Sequence, residues 1–324
     1  MKKRSVPQHH IGLIAWIATV MAVAVTVVRL VLMPTLRDAD TGRFTNSFVV
    51  IAVMLVTLIA VGVLGWRNDN RRIDIGGRAA MPAGLLILLG GAGMAISSLW
   101  SALRWMIDGT VPPPETAKVT ALSSVILLLM LAFGVLGGVA LLRLGWKIMA
   151  EDGTRIGMTS WSVLAPVLYA WFRLARYEMS YASAIGLGES FYDFLLLILE
   201  MLFFFKLARF TSGIGKSRPG NLAFYAAGTE LFALSGALYR LGAYFLQDPE
   251  AYRSSELAGF PDFLIGCMAL AVMLGLDHGA YREEGLSKSE TDAPVSVDSP
   301  TEDLLIVPED REDGDTSAGN SNQA

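Results

Sequence analysis

Three carboxylates lie inside long apolar segments of this sequence. Asp193 and Glu200 are seven residues apart in one segment, and Glu230 lies in the next. Residues seven apart share a helical face, and antiparallel neighbouring helices would bring Glu200 and Glu230 to a similar depth. Ionisable groups inside a bilayer are costly and are therefore functional candidates. The acids predict a site that shares a proton or binds a cation. The alternative is that Ser, Thr or Tyr hydroxyls hydrogen-bond them and fix helix packing.

Four apolar segments each carry an arginine toward the end that is predicted to face away from the cytoplasm. These are Arg29, Arg104, Arg173 and Arg240. Together they predict a vestibule that attracts and binds anions. The alternative is that they snorkel to lipid headgroups or pair with acids at a similar depth, namely Glu178, Glu189 and Asp262.

The sequence contains no convincing catalytic, metal-binding or phosphate-binding motif. Cys267 is the lone cysteine, and the Gly-Ile-Gly-Lys-Ser run at 213–217 lacks the earlier glycine of a phosphate-binding loop. The histidines His9, His10 and His278 lie at segment ends. We therefore predict no catalytic residue, no metal site and no cofactor.

The sequence predicts that these residues lie on membrane helices. Hydrophobic residues make up 53% of the chain and charged residues 17%, against about a quarter charged in an ordinary soluble domain. Runs of roughly 20 apolar residues match the thickness of a bilayer. The pattern predicts an all-α, multi-pass bundle of about eight transmembrane helices in the lipid bilayer, at residues 11–33, 47–66, 81–106, 119–147, 158–176, 190–208, 221–246 and 260–277.

The distribution of basic residues predicts the orientation of the bundle. Lysines and arginines are concentrated in the N-terminus and in the loops that eight spans would place on the same side. Because cytoplasmic loops carry the excess of basic residues, we predict a cell-membrane protein with both termini cytoplasmic. The same rule explains why basic residues outnumber acidic ones in residues 1–282. These basic residues therefore give no reason to expect a nucleic-acid partner.

A weak internal similarity suggests that the two halves of the chain arose by duplication. Arg29 in the first half corresponds to Arg173 in the second, and further similar residues follow in the same order in both halves. This similarity predicts parallel four-helix repeats at 1–118 and 145–259. The alternative is that basic loops and helix ends recur in any regular bundle.

The chain divides at about residue 282. Residues 1–282 form the predicted helical bundle, and residues 283–324 are rich in acidic and small polar residues. Such a composition cannot bury enough apolar surface to fold, so it predicts a disordered cytoplasmic tail. An apolar island at 304–308 could dock on a cytoplasmic protein partner. The alternative is a solvated tail without a partner.

Two functions follow from these features. The first is a small-solute or ion transporter that uses the mid-membrane carboxylates. The alternative is a non-transporting membrane scaffold or regulator whose tail binds a partner. An enzyme is the third and weakest alternative.

Overall fold

The described residues form eight α-helices and no strand. A computed structural model describes residues 11–36, 47–67, 80–108, 121–150, 160–181, 187–212, 219–246 and 260–292. The helices are α1 (Ile11–Leu36), α2 (Ser47–Arg67), α3 (Ala80–Asp108), α4 (Ala121–Ala150), α5 (Ser160–Tyr181), α6 (Leu187–Thr211), α7 (Pro219–Leu246) and α8 (Phe260–Asp292). The predicted all-α class is therefore confirmed, and a helix lies at each of the eight predicted apolar segments. The basic loops and the island at 304–308 lie outside these ranges.

Four helices contain segments long and apolar enough to cross a bilayer, as expected of an integral membrane protein. These segments are Ile11–Val31, Met81–Ile107, Ser124–Ala150 and Phe260–Asp277. α2 has a shorter apolar segment, Val49–Gly65. That all eight helices cross the membrane stays a prediction.

The outward faces of the helices are apolar. On α1, Trp16 and Val20 are exposed while Ile14, Ala18 and Ala22 are buried. Comparable exposed residues occur on α2, α3 and α4. Water-soluble monomers rarely expose contiguous apolar surface of this extent, and lipid tails would cover it without cost.

The helices alternate in direction. Thr19 contacts Glu230 and, further along both helices, Arg29 contacts Tyr239, so α1 and α7 are parallel. The remaining contacts place odd-numbered helices in one direction and even-numbered helices in the other. A chain that crosses one layer repeatedly requires this alternation.

One end of the bundle joins the start of α1 to α8. The Gly12 amide donates a hydrogen bond of 2.9 Å to Asp277 Oδ1. The acceptor satisfies one of the free N–H groups at the start of a helix. We call this the α1-start end, and the opposite end of the bundle is the far end.

Helices α3 to α8 form a closed ring. Each packs against its neighbour in sequence, α8 packs against α3, and α1 and α2 lie outside the ring against α7. α7 thus contacts α1, α2, α6 and α8. Because these four helices surround α7, it can carry the fully buried Glu230.

Corresponding helices of the proposed repeats pack differently. α2 and α3 would correspond to α6 and α7. α6 packs closely against α7, whereas the main partners of α2 within the described ranges are α1, α6 and α7. The repeats at 1–118 and 145–259 therefore stay a prediction.

The last helix is longer than its apolar segment. α8 continues to Asp292, ten residues into the region predicted as tail. Extending an existing helix avoids the cost of nucleation, and the Glu, Leu and Lys residues in 283–292 have good helix propensity. Residues 293–324 lie beyond the described part.

Glycines bring α3 and α4 close together. A Cβ atom at Gly91 would lie 2.8 Å from the carbonyl oxygen of Gly138, and one at Gly145 would lie 2.6 Å from that of Gly84. The glycines on each helix are seven residues apart and so lie on one face. We call this contact the glycine seam; it resembles the small-residue interfaces by which membrane helices pack without a hydrophobic driving force.

Candidate functional site

A buried ion cluster joins three helices of the ring. Arg173 Nη1 donates to Glu200 Oε2 at 2.9 Å, and Arg173 Nη2 lies 2.5 Å from Asp262 Oδ1. The exposed fractions are 7% for Arg173 and 1% for each acid. We call Arg173, Glu200 and Asp262 the inner triad. The pair between Arg173 and Asp262 reaches across the ring from α5 to α8.

The surroundings of the inner triad are mostly apolar. Tyr169, one turn before Arg173 on α5, is buried against α4, and Leu197 and Phe203 of α6 are fully enclosed. Arg176 lies one turn nearer the end of α5 and is half-buried, so solvent screens its charge more than that of the triad. The triad is thus a group of charges in an environment of low polarity.

The three residues of the inner triad include more acids than bases. Two carboxylates face one guanidinium, which leaves a formal charge of −1 when all three are ionised. Glu200 Oε1 is buried and has no hydrogen-bond partner among the described residues. A buried carboxylate oxygen without a partner is costly. A proton or a small cation at the triad would remove that cost.

Glu230 has a separate partner. Its Oε1 lies 2.5 Å from Thr19 Oγ1, which also lies 2.9 Å from the Ala15 carbonyl oxygen. A hydroxyl has one proton, so Thr19 cannot donate to both oxygens unless it shares that proton. A neutral Glu230 resolves the conflict, because it can donate to Thr19 while Thr19 donates to Ala15.

Glu200 and Glu230 lie at a similar level, since Leu199 packs against Gly228. Their hydrogen-bond partners, however, are different, and neither carboxyl is a recorded partner of the other. The shared site predicted for these two acids therefore stays a prediction.

A second polar cluster lies toward the far end of α1, α6 and α7. Arg240 Nη2 donates to Asp193 Oδ1 at 3.2 Å. The Arg29 guanidinium carbon lies 4.1 Å from the ring centroid of Tyr239 and 5.1 Å from that of Tyr192. We call these five residues the outer cluster.

Tyr192 is held in the outer cluster by hydrogen bonds. Its hydroxyl donates to the Phe232 carbonyl oxygen at 2.5 Å and lies 2.6 Å from Ser235 Oγ. These contacts tie α6 to α7 and fix the ring on which Arg29 rests. The outer cluster is therefore a rigid support for the two arginines.

Comparison with known proteins gives no assignment. No family model, no curated protein and no solved structure matches this chain. The geometry of the two clusters alone therefore carries the functional argument.

The structure separates the four predicted arginines. Arg29 and Arg240 come together in the outer cluster, whereas Arg173 enters the inner triad. Arg104 lies in α3, and its side chain is outside the described part. Asp262 pairs with an arginine, as the alternative interpretation expects, while Glu178 is exposed on α5 and the side chain of Glu189 is not described.

Sequence reasoning missed the contact between Arg173 and Glu200 and the role of Thr19. The first had a usable signal, because an arginine inside a membrane helix almost always faces an acid or a polar cavity. The second had none, because threonines are common in membrane helices and only tertiary packing selects Thr19.

Proposed function

We propose that this protein is a proton-coupled membrane transporter for a small solute or ion. The observation that supports this proposal is the buried carboxyl group of Glu200 in the inner triad, whose Oε1 has no hydrogen-bond partner among the described residues. A bundle that only needed stability would gain little from such a cluster, since apolar residues of similar volume often replace buried ion pairs without loss.

A proton fits the triad better than a metal cation. Hard cations such as Ca²⁺ and Mg²⁺ take about six or more oxygen ligands in proteins. Here Arg173 already occupies one oxygen of Glu200 and one of Asp262. A proton needs one lone pair, and Glu200 Oε1 supplies it.

Proton binding would change which helices Arg173 holds together. With Glu200 ionised, Arg173 pairs with α6 and α8; with Glu200 neutral, it pairs mainly with Asp262 on α8. A proton therefore weakens the contact between α5 and α6 and biases the bundle toward a second arrangement. A proton-coupled transporter requires that proton binding change the side of the membrane from which its binding site is accessible.

The test is a flux assay on purified protein in liposomes loaded with a pH-sensitive dye. A membrane potential and a panel of small solutes and ions supply the driving force. We expect proton movement above that of protein-free liposomes, and a loss of at least about tenfold in Glu200→Gln, because each step that requires the exchangeable proton is removed. Glu178→Gln, at an exposed position on the neighbouring helix α5, is the control and should behave as the wild type.

The outcome also separates the alternative function. Partnered buried groups such as Asp193 with Arg240 and Tyr192 with Ser235 favour a packed bundle, as a scaffold or regulator would have. Folded wild-type protein that moves no proton, with or without any solute of the panel, would contradict transport and favour that alternative.

A further inference from the structure

We propose that the outer cluster is a binding site for an oxyanion, a carboxylate or phosphate group held between Arg29 and Arg240. The inference goes beyond the proposed function, because an oxyanion can bind at this end of the bundle whether or not the inner triad moves a proton.

The N–H donors of Arg29 have no hydrogen-bond partner in the described part of the chain. The face of its guanidinium rests on Tyr239 and Tyr192, a cation–π arrangement that uses none of the N–H groups. No carboxylate is recorded as a partner of Arg29 among the described residues. Because guanidinium presents its donors in a planar fork, the free edge suits two oxygens of one anion.

Arg240 supplies a second donor. Its Nη2 binds Asp193, but its Nη1 is buried and has no hydrogen-bond partner in the described part of the chain. A buried donor without an acceptor is costly, and an oxyanion oxygen would satisfy it. Arg240 thus offers a donor that is already positioned by its ion pair.

The charge of the outer cluster has the sign that an anion needs. Arg29 and Arg240 outnumber Asp193, so the cluster has a formal charge of +1. All three charges lie close enough to act on the Tyr192 hydroxyl. One bound monoanion would make the cluster neutral, in contrast to the inner triad, whose excess charge is negative.

The position of the cluster makes it reachable. Arg29 lies 17 residues beyond Gly12 on α1, about 26 Å at 1.5 Å per residue, and so lies near the opposite boundary of a bilayer. Arg29 is half-buried. At this depth the same oxyanion chemistry has two sources, a lipid headgroup phosphate or a small anion from solution.

The test measures binding rather than transport. Purified protein in a phosphate-free, uncharged detergent is titrated with sodium phosphate, sodium acetate or a short-chain phosphatidylglycerol, with sodium chloride at equal ionic strength as reference. We expect a saturable rise in melting temperature with at least one of the three probes. The apparent Kd of that probe should rise at least about tenfold in Arg29→Gln and in Arg240→Gln. This is the loss of affinity expected for a charge-assisted pair of hydrogen bonds.

Matched variants keep the test decisive. Arg240→Gln leaves Asp193 without this cation and can destabilise the protein. Among the described residues, Arg29→Gln breaks the contacts with the rings of Tyr192 and Tyr239 and no ion pair. Arg143→Gln, at an exposed position on α4, should bind as the wild type. A response to the lipid alone supports a headgroup site, and a response to phosphate or acetate supports a solute site. No response to any probe, or equal responses in the wild type and Arg29→Gln, would overturn the proposal.

Discussion

Arg173→Met is expected to destabilise the folded protein by about 3–5 kcal/mol, the usual cost of removing one partner from a buried ion pair. Glu200 and Asp262 would lose their shared cation while both stay 1% exposed. The free energy of unfolding, measured by denaturing-detergent titration of purified protein, reports this loss. Arg143→Met, at an exposed position on α4, should change it by no more than about 0.5 kcal/mol.

A second variant distinguishes the loss of charge compensation in Arg173→Met from a simple loss of packing. In the triple variant Arg173→Met/Glu200→Gln/Asp262→Asn the site holds no charge, and we expect most of the lost stability to return, because the cost comes from uncompensated carboxylates. A triple variant as unstable as Arg173→Met would show that side-chain shape, and not charge, makes Arg173 necessary.

Gly84→Ala and Gly91→Ala should each destabilise the protein by about 1–3 kcal/mol, the range for overpacking a close-packed interface. A Cβ atom at Gly84 would lie 2.7 Å from the Gly145 carbonyl oxygen, and one at Gly91 would lie 2.8 Å from that of Gly138. Backbone atoms cannot rotate away as side chains do, so α3 and α4 must separate. The same unfolding titration measures the effect, which should be larger still in the double variant.

Gly90→Ala is the matched control for the glycine seam. It lies beside Gly91, but its Cβ atom would meet the Met268 side chain at 3.2 Å, and methionine adapts readily to added volume. We expect a change below about 1 kcal/mol there. Equal losses in Gly90→Ala and Gly91→Ala would show that α3 and α4 do not depend on close backbone approach.

The positions of the helices could be predicted from the sequence because runs of about 20 mostly apolar residues favour long helices. Each helix core lies where its run predicts, and the differences are at the ends. α8 shows the limit: its polar extension to Asp292 has no apolar pattern, and only continuity with the preceding helix explains it.

The candidate site could be predicted only in part. Buried acids such as Glu200 were evident because charge inside an apolar run is rare, and Asp262 was evident as an acid near an arginine. Which arginine meets which acid depends on how helices pack around the ring, and hydropathy does not encode that arrangement. The contacts of Arg173 with Glu200 and Asp262 therefore do not follow from the sequence, and the vestibule stays a prediction.

Helix α6 contributes an acid to both clusters. Asp193 and Glu200 are seven residues apart, about 10 Å at 1.5 Å per residue, and face the outer cluster and the inner triad respectively. A proton site of negative charge and an oxyanion site of positive charge would therefore lie on the same helix face.

If the proposed function is right, the inner triad holds one exchangeable proton. Infrared difference spectroscopy on reconstituted protein, recorded across a step in pH, detects protonation of carboxyl groups directly. We expect a carboxyl signal that decreases by one group in Glu200→Gln or Asp262→Asn and is retained in Glu178→Gln. A signal unchanged in both triad variants, with their fold intact, would contradict it.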